Sequence, residues 1–260
     1  MISELIAIEM GILIAQGVRK TFGGLVAVND VSIDVKKGSF SVLIGPNGSG
    51  KTTLINVLSG FYKADRGRIW FNGKEITKLP PEKRYMLGLA RTYQVPQLFD
   101  SLTVMENLLI AYKSHPGESF SNVLLKKKWI KSEEEAVKKA SAILKTVKLD
   151  HLFDKLPSEL SGGQLKLLEV GRALMSGAKM ILMDEPAAGI FPALARELFA
   201  YFTSLKNKFN VTFLVVEHRL DLVMEWADYV YAMVGGKIVT EGSPEKVIND
   251  PILIEHYLGG

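Results

Sequence analysis

The stretch Gly-Pro-Asn-Gly-Ser-Gly-Lys-Thr-Thr at 45–53 constrains this chain more than any other. It follows Phe40-Ser41-Val42-Leu43-Ile44, a short apolar run that reads as a buried strand. It precedes Leu54, Ile55, Val57 and Leu58, which recur at helical spacing until Gly60. Strand, glycine-rich turn, helix is the setting that the phosphate-loop pattern G-x-x-x-x-G-K-[ST] requires, and Gly45 to Thr52 fits it. Gly45, Gly48 and Gly50, with Pro46, Asn47 and Ser49 between them, let the backbone curl so that its N–H groups converge on phosphate oxygens. The helix opening near Lys51 adds the positive end of its dipole. Lys51 is placed to reach the β and γ phosphates and the Thr52 hydroxyl to ligate Mg2+, with Thr53 ending the stretch. The loop predicts a nucleoside triphosphate site, for ATP or GTP, and leaves open what the energy drives.

Length and composition bound the rest. A chain of 260 residues is one large domain or two intimate lobes. It has no cysteine, which excludes disulfides and thiolate metal sites. A net charge of +4 permits a nucleotide or an anionic surface as partner without requiring either. No apolar stretch approaches the ~20 residues of a membrane-spanning helix. The N-terminal segment lacks a basic region, and Glu4 and Glu9 interrupt its apolar run, so a signal peptide is not expected. Gly11 to Val18 reads as the first strand and residues 1–10 as an extension, with Met10 an alternative start. The expected location is the cytoplasm.

Strand-like pieces at Ile12–Ala15, Val31–Val35 and Phe40–Ile44 are separated by turn signals at Gly23-Gly24 and Lys37-Gly38. Phe22, beside two glycines, reads as core or as a platform for a base. Gly67 to Lys74 predicts a strand running into an Asn-Gly turn, and 80–91 a helix begun by Pro80-Pro81-Glu82. Gln94 follows, by itself a polar surface residue. Thr103-Val104-Met105-Glu106 resembles a capping box leading into Asn107–Tyr112. A loop with His115-Pro116-Gly117 and the run Lys126-Lys127-Lys128, read as a solvated face, come next. Ala136, Val137, Ala140, Ile143, Leu144 and Val147 then form a helical stripe over 133–147. This part predicts a helical lobe inserted into an α/β core. Leu160-Ser161-Gly162-Gly163-Gln164 places Ser161 as an N-cap with exposed amides, a second candidate phosphate cradle.

Met180 to Asp184 predicts a buried strand ending in Asp184-Glu185. Beside a phosphate loop, an aspartate there is the expected Mg2+ partner. Glu185, expected on the other side of the strand, is the candidate general base for a water attacking the γ phosphate. Val211 to Val216 predicts a neighbouring strand, ending in Glu217-His218, with His218 a phosphate sensor. Leu220, Val223, Met224 and Ala227 form a further stripe, and Tyr229–Val234 with Lys237–Glu241 a hairpin around Gly235-Gly236.

The order of these pieces (aromatic loop, phosphate loop, Gln, LSGGQ, ILMDE, His) resembles the ATP-binding cassette (ABC) ATPases from about residue 12 to 250. Residues 89–109, 171–189, 215–221 and the ending YLGG are similar to the ATPase subunits of branched-chain amino acid importers. The resemblance implies the P-loop ABC ATPase fold, α/β, with a RecA-like parallel-sheet core, an antiparallel β subdomain and an inserted helical subdomain. Its expected bounds are 12–84 and 166–245 for the core with the β subdomain, 85–165 for the helical subdomain and 246–260 for a tail. It implies that Phe22 stacks on adenine, that Gln94 touches Mg2+ and senses the membrane partner, and that Ser161, Gly162, Gly163 and Gln164 contact ATP on a second subunit. It also implies Asp184 as the Mg2+-associated aspartate, Glu185 as the catalytic glutamate and His218 as the switch histidine.

The implied partners are two membrane permease subunits, a second ATPase chain (the same or related) closing head to tail, and a periplasmic or extracellular solute-binding protein. They would hold the chain at the cytoplasmic face of the membrane, with no nucleic acid. Phe191 departs from the pattern: it stands six residues after the catalytic position, where the family often has an aspartate that speaks across the dimer interface. Importers of urea or another small polar solute, a soluble ABC ATPase and a nucleotide-gated subunit without turnover are the alternative readings.

Overall fold

The computed structural model describes residues 11–93, 96–113 and 126–258. Gln94, the 1–10 extension, the His115-Pro116-Gly117 loop, the side chains of Lys126 to Lys128 and the last two glycines lie outside the described residues.

Two sheets meet over the phosphate-loop helix. One is antiparallel, in the order β2 (Leu25–Val35), β1 (Leu13–Phe22), β4 (Arg66–Phe71), β5 (Lys74–Glu75). The other has six strands: β10 (Lys237–Gly242), β9 (Tyr229–Val234), β3 (Phe40–Ile44), β8 (Thr212–Val216), β7 (Met180–Asp184) and β6 (Leu89–Arg91). All pairings in it are parallel except β10 on β9, so its central strands are buried on both faces and read as continuous apolar runs. Successive side chains divide between two cores. Phe40, Val42, Ile44, Ile181, Met183, Phe213 and Val215 face the long helices. Leu43, Met180, Leu182, Leu214 and Val216 face α1 (Lys51–Ser59) and the antiparallel sheet.

The remaining α-helices among the described residues are α2 (Pro81–Met86), α3 (Val104–Leu109), α4 (Lys126–Thr146), α5 (Gly162–Met175), α6 (Pro192–Phe209), α7 (Leu220–Val223), α8 (Pro244–Ile248) and α9 (Pro251–Leu258). Thr103 caps α3 in a reciprocal box with Glu106, as the spacing predicts. The stripe on α4 buries Ala136, Ala140, Ile143 and Leu144, whereas Val137 is exposed.

Three expectations need correction. The helix expected over 80–91 stops at Met86, because Gly88 takes the left-handed φ of +101°; Leu89 to Arg91 then pair with Met180 to Leu182 as an edge strand. The first strand runs past Val18 to Phe22, its register shifting around Gly17, so Phe22 ends a strand rather than lying in a loop. Glu185 is not a strand residue: the strand ends at Asp184, and Glu185 turns away at φ +48°.

Candidate functional site

The loop 45–50 joins the end of β3 to the start of α1. α1 has Gly50 at its N-cap, and no side chain caps it, so the first-turn amides are not spoken for by a local acceptor. Gly50 is left-handed at φ +102°, and a Cβ there would sit 2.2 Å from the Ala27 carbonyl oxygen. The loop is therefore pressed against β2, and only glycine fits at that position. The Ser49 carbonyl accepts the Gly236 N–H at 3.0 Å, which ties the loop to the β9–β10 turn.

Lys51 is buried and bridges the loop: its Nζ donates to the Gly45 carbonyl at 2.8 Å and to the Pro46 carbonyl at 2.9 Å. Burial lowers its pKa, opposed by the charges of Glu185, Asp184 and Glu217. The Thr52 hydroxyl donates to Asp184 Oδ1 at 3.2 Å, so the two candidate metal ligands lie side by side although they are 132 residues apart. The Asp184 carboxyl is pushed up by burial and held back by Arg91, whose guanidinium lies 3.8 Å away, and by Thr52. Two adjacent hard oxygens, one from a hydroxyl and one from a carboxylate, suit Mg2+, which takes its remaining ligands from phosphate and water.

Asp184 and Val216 are paired neighbours on β7 and β8, so the residues that follow each strand emerge together. The Glu185 N–H donates to the Val216 carbonyl at 3.0 Å, and Glu185 Oε1 lies 3.4 Å from His218 Nδ1. The general-base candidate and the histidine thus form a pair beside Lys51, Thr52 and Asp184.

Two residues of this neighbourhood had no assigned role in the sequence reading. Glu217 is only 1% exposed; its Oε1 accepts the Ala187 N–H at 3.2 Å, and burial raises its pKa. It pins the turn that follows Glu185. Arg91 reaches Asn56 and Ser59 on α1 as well as Asp184. A charged residue closing an apolar strand is the only signal the sequence carries for either, and it also marks ordinary strand ends.

The other assigned residues lie outside this cluster. The Phe22 ring is 42% exposed and packs edge-on against Tyr62 at 5.2 Å, so the core reading of Phe22 gives way to an open ring face. Ser161 N-caps α5 in a reciprocal box with Gln164, and Gly162 and Gly163 fill the first turn. This loop lines a groove of about 350 Å3 with Leu149, Phe191 and Leu194, a groove that holds none of residues 45–53. Phe191 is the N-cap of α6 and 74% exposed. Within one chain the phosphate loop, Asp184, Glu185 and His218 come together, and the 161–164 loop stands apart.

Comparisons with known proteins agree with this geometry. A family profile described as "ABC transporter" matches residues 28–188. A protein of Archaeoglobus fulgidus named "Probable branched-chain amino acid transport ATP-binding protein LivG" is 50% identical over 250 residues, covering 96% of each chain. The Methanocaldococcus jannaschii protein of the same name is 50% identical over 254 residues, covering 96% of this chain and 98% of its own. A crystal structure of the ADP conformation of an ATP-binding cassette of an ABC transporter superposes with a TM-score of 0.82 at 50% identity, over 96% of this chain and 100% of that one. With the α/β cassette fold, the phosphate loop and the Asp184–Glu185 pair in place, the chain belongs to the ABC transporter family, as one of its ATP-binding ATPase cassettes.

Proposed function

We propose that this chain hydrolyses Mg2+-ATP to energise an importer of branched-chain amino acids. The observation that carries the ATPase part is the convergence of Lys51, Thr52, Asp184, Glu185 and His218 at the C-terminal ends of the neighbouring strands β3, β8 and β7. The names of relatives at 50% identity support the solute class.

The chemistry follows from the side chains. ATP lies with its phosphates on the amides of 45–53 and Lys51 on the β and γ oxygens, and its base on Phe22. Mg2+, held by Thr52, Asp184 and Gln94, would neutralise charge on those oxygens. Glu185 takes a proton from water as its oxygen attacks the γ phosphorus and the bond to the β-bridging oxygen breaks, releasing ADP. His218 holds Glu185 and the γ phosphate in register. Ser161, Gly162, Gly163 and Gln164 line a groove that holds none of this chain's residues 45–53 and serve the ATP of a second cassette, the same chain or a related one, closed head to tail.

No helix among the described residues is long and apolar enough to cross a membrane. The names of the transport relatives support a reading in which two separate permease subunits hold the chain at the cytoplasmic face and receive solute from a binding protein outside. A groove of about 370 Å3 between α2 and α5, rimmed by Phe61, Tyr85 and Tyr93, offers an aromatic seat for a permease segment. A pull-down of the tagged chain from native membranes tests this reading. Recovery of two hydrophobic permeases, with a co-encoded binding protein that takes leucine, isoleucine or valine, is the expected result. Recovery of ribosomal or DNA-repair proteins with no permease would overturn it.

A further inference from the structure

The outer end of β1 is gripped by a segment that the β1–β2 hairpin does not need. β1 and β2 pair with each other as far as Phe22 with Leu25, across the Gly23-Gly24 turn. Residues 62–65 then take hold of β1 from its other side. The Asp65 N–H donates to the Arg19 carbonyl at 2.8 Å. The Asp65 carboxylate accepts the Thr21 N–H at 2.6 Å, the Thr21 hydroxyl at 2.7 Å and the Lys20 ammonium at 3.0 Å. Tyr62 meets the Phe22 ring edge-on at 5.2 Å. Each residue from Arg19 to Phe22 thus has its own contact with this segment.

Stability does not account for this grip. The Phe22 ring is largely open, and an ion pair at the surface adds little to folding. Yet the Thr21 hydroxyl, the Lys20 ammonium and the Thr21 amide hold the Asp65 carboxyl down at about 2, so the anchor stays charged at neutral pH. The same ammonium stands 5.3 Å from the centre of the Phe22 ring, a cation–π contact. A ring that is fixed but open loses little further freedom when a base lands on it, which favours binding. The segment has a second connection. It follows α1 directly: Gly60 ends that helix at φ +85°, and the Tyr62 N–H donates to the Asn56 carbonyl at 3.0 Å. One helix therefore opens on the phosphate loop and runs out into the anchors of Phe22.

We propose that Asp65, assisted by Tyr62, is a positioning residue that fixes the Phe22 ring for the adenine base and, through α1, sets its distance from the phosphate loop. The functional half of the inference rests on the reading of Phe22 as the base platform. Asp65 acts through Lys20 and Thr21; it decides where the ring stands.

The test uses the full chain with Asp65→Ala, Asp65→Asn and Phe22→Ala. Two probes separate the base from the phosphates in calorimetry: ATP, and inorganic tripolyphosphate, which has no base. Asp65→Ala should weaken ATP binding by about tenfold, within the range that one stacked base contributes, and leave tripolyphosphate within about twofold. The KM for ATP should rise by about the same factor with kcat within about twofold, because the base is held equally in ground and transition states. Asp65→Asn keeps an acceptor for Thr21 and should restore most of the ATP affinity. Equal losses for the two probes, unchanged ATP affinity in Asp65→Ala beside an impaired Phe22→Ala, or Asp65→Asn as impaired as Asp65→Ala overturns the proposal. Phe22→Ala with an unchanged ratio of ATP to tripolyphosphate affinity overturns the reading of Phe22 and with it the functional half. Hydrogen exchange at the Thr21 amide, expected about tenfold faster in Asp65→Ala, then decides the anchor by itself. If Asp65→Ala does not fold, Tyr62→Leu, which removes the ring that meets Phe22 and keeps an apolar side chain, carries the same comparison with the same expected directions.

Discussion

Gly50 and Glu217 show how single residues set this site, one by absence of a side chain and one by a buried charge. Gly50→Ala would drive a methyl into the Ala27 carbonyl at a left-handed backbone position. ATP binding should weaken by about a hundredfold or more, read by equilibrium dialysis, because the amide cradle must open to relieve the clash. Glu217 carries a carboxyl whose pKa is raised above the ordinary 4.5 by burial. The folded state therefore holds that proton more tightly than the unfolded chain, and stability falls as pH rises from 4.5 through the folded value. Glu217→Gln keeps an acceptor for the Ala187 N–H and removes the buried charge. At pH 8 it should be more stable than the parent by about 1 kcal/mol, with the gap closing toward pH 4 in thermal melts. Because the amide still accepts the Ala187 N–H that pins the turn after Glu185, ATP turnover should stay close to the parent's.

At the scale of elements, α1 matters most, and its far end is held by an unusual device. Arg84 is 2% exposed and donates to the carbonyls of Val57, Leu58, Thr77 and Leu79, satisfying the helix C-terminus with a guanidinium that meets no carboxylate among the described residues. Arg84→Met should cost about 3 kcal/mol in urea unfolding, since several buried carbonyls lose their donor at once. Ser161→Ala removes the cap of α5 and should cost about 1 kcal/mol; a loss of ATPase activity greater than that stability change explains would mark the hydroxyl as a ligand of the second subunit's nucleotide.

Much of this level was legible in the sequence. The strands at 40–44, 180–184 and 212–216 are dominated by apolar residues, with only Ser41, Asp184 and Thr212 polar, and the Thr103 and Ser161 caps follow from local spacing. What escaped depends on distant partners. Leu89–Arg91 is a strand because β7 offers an open edge, and three residues after a short helix carry no period to reveal it. The outer half of β1 is polar, so nothing in Val18 to Phe22 alternates clearly enough to show a strand.

The whole molecule is a cassette with its candidate hydrolytic residues at the C-terminal ends of β3, β8 and β7 and its 161–164 loop elsewhere. The motifs announced the chemistry because each is local: a phosphate cradle, a helix cap, a strand ending in two carboxylates. The side chains that connect them (Arg91, Lys166, Glu169, Arg172, Glu217) were silent, because their meaning lies in contacts across 30 to 93 residues of chain. ATP binding should raise the melting temperature in proportion to the logarithm of ATP concentration above its Kd. Phe191 is exposed; if a second cassette meets this one there, it should bury on closure, and Phe191→Ala should move the protein concentration at which turnover saturates upward.

The most direct test of the central claim is steady-state phosphate release by Glu185→Gln, measured with its ATP affinity. The amide keeps the size and the hydrogen bonding of the side chain but cannot accept the water proton. Release should fall by about a hundredfold or more while ATP affinity changes by less than about threefold. Release near the parent rate, with ATP still bound, would contradict the account, because the left-handed carboxylate beside His218 would then not be the group that activates water.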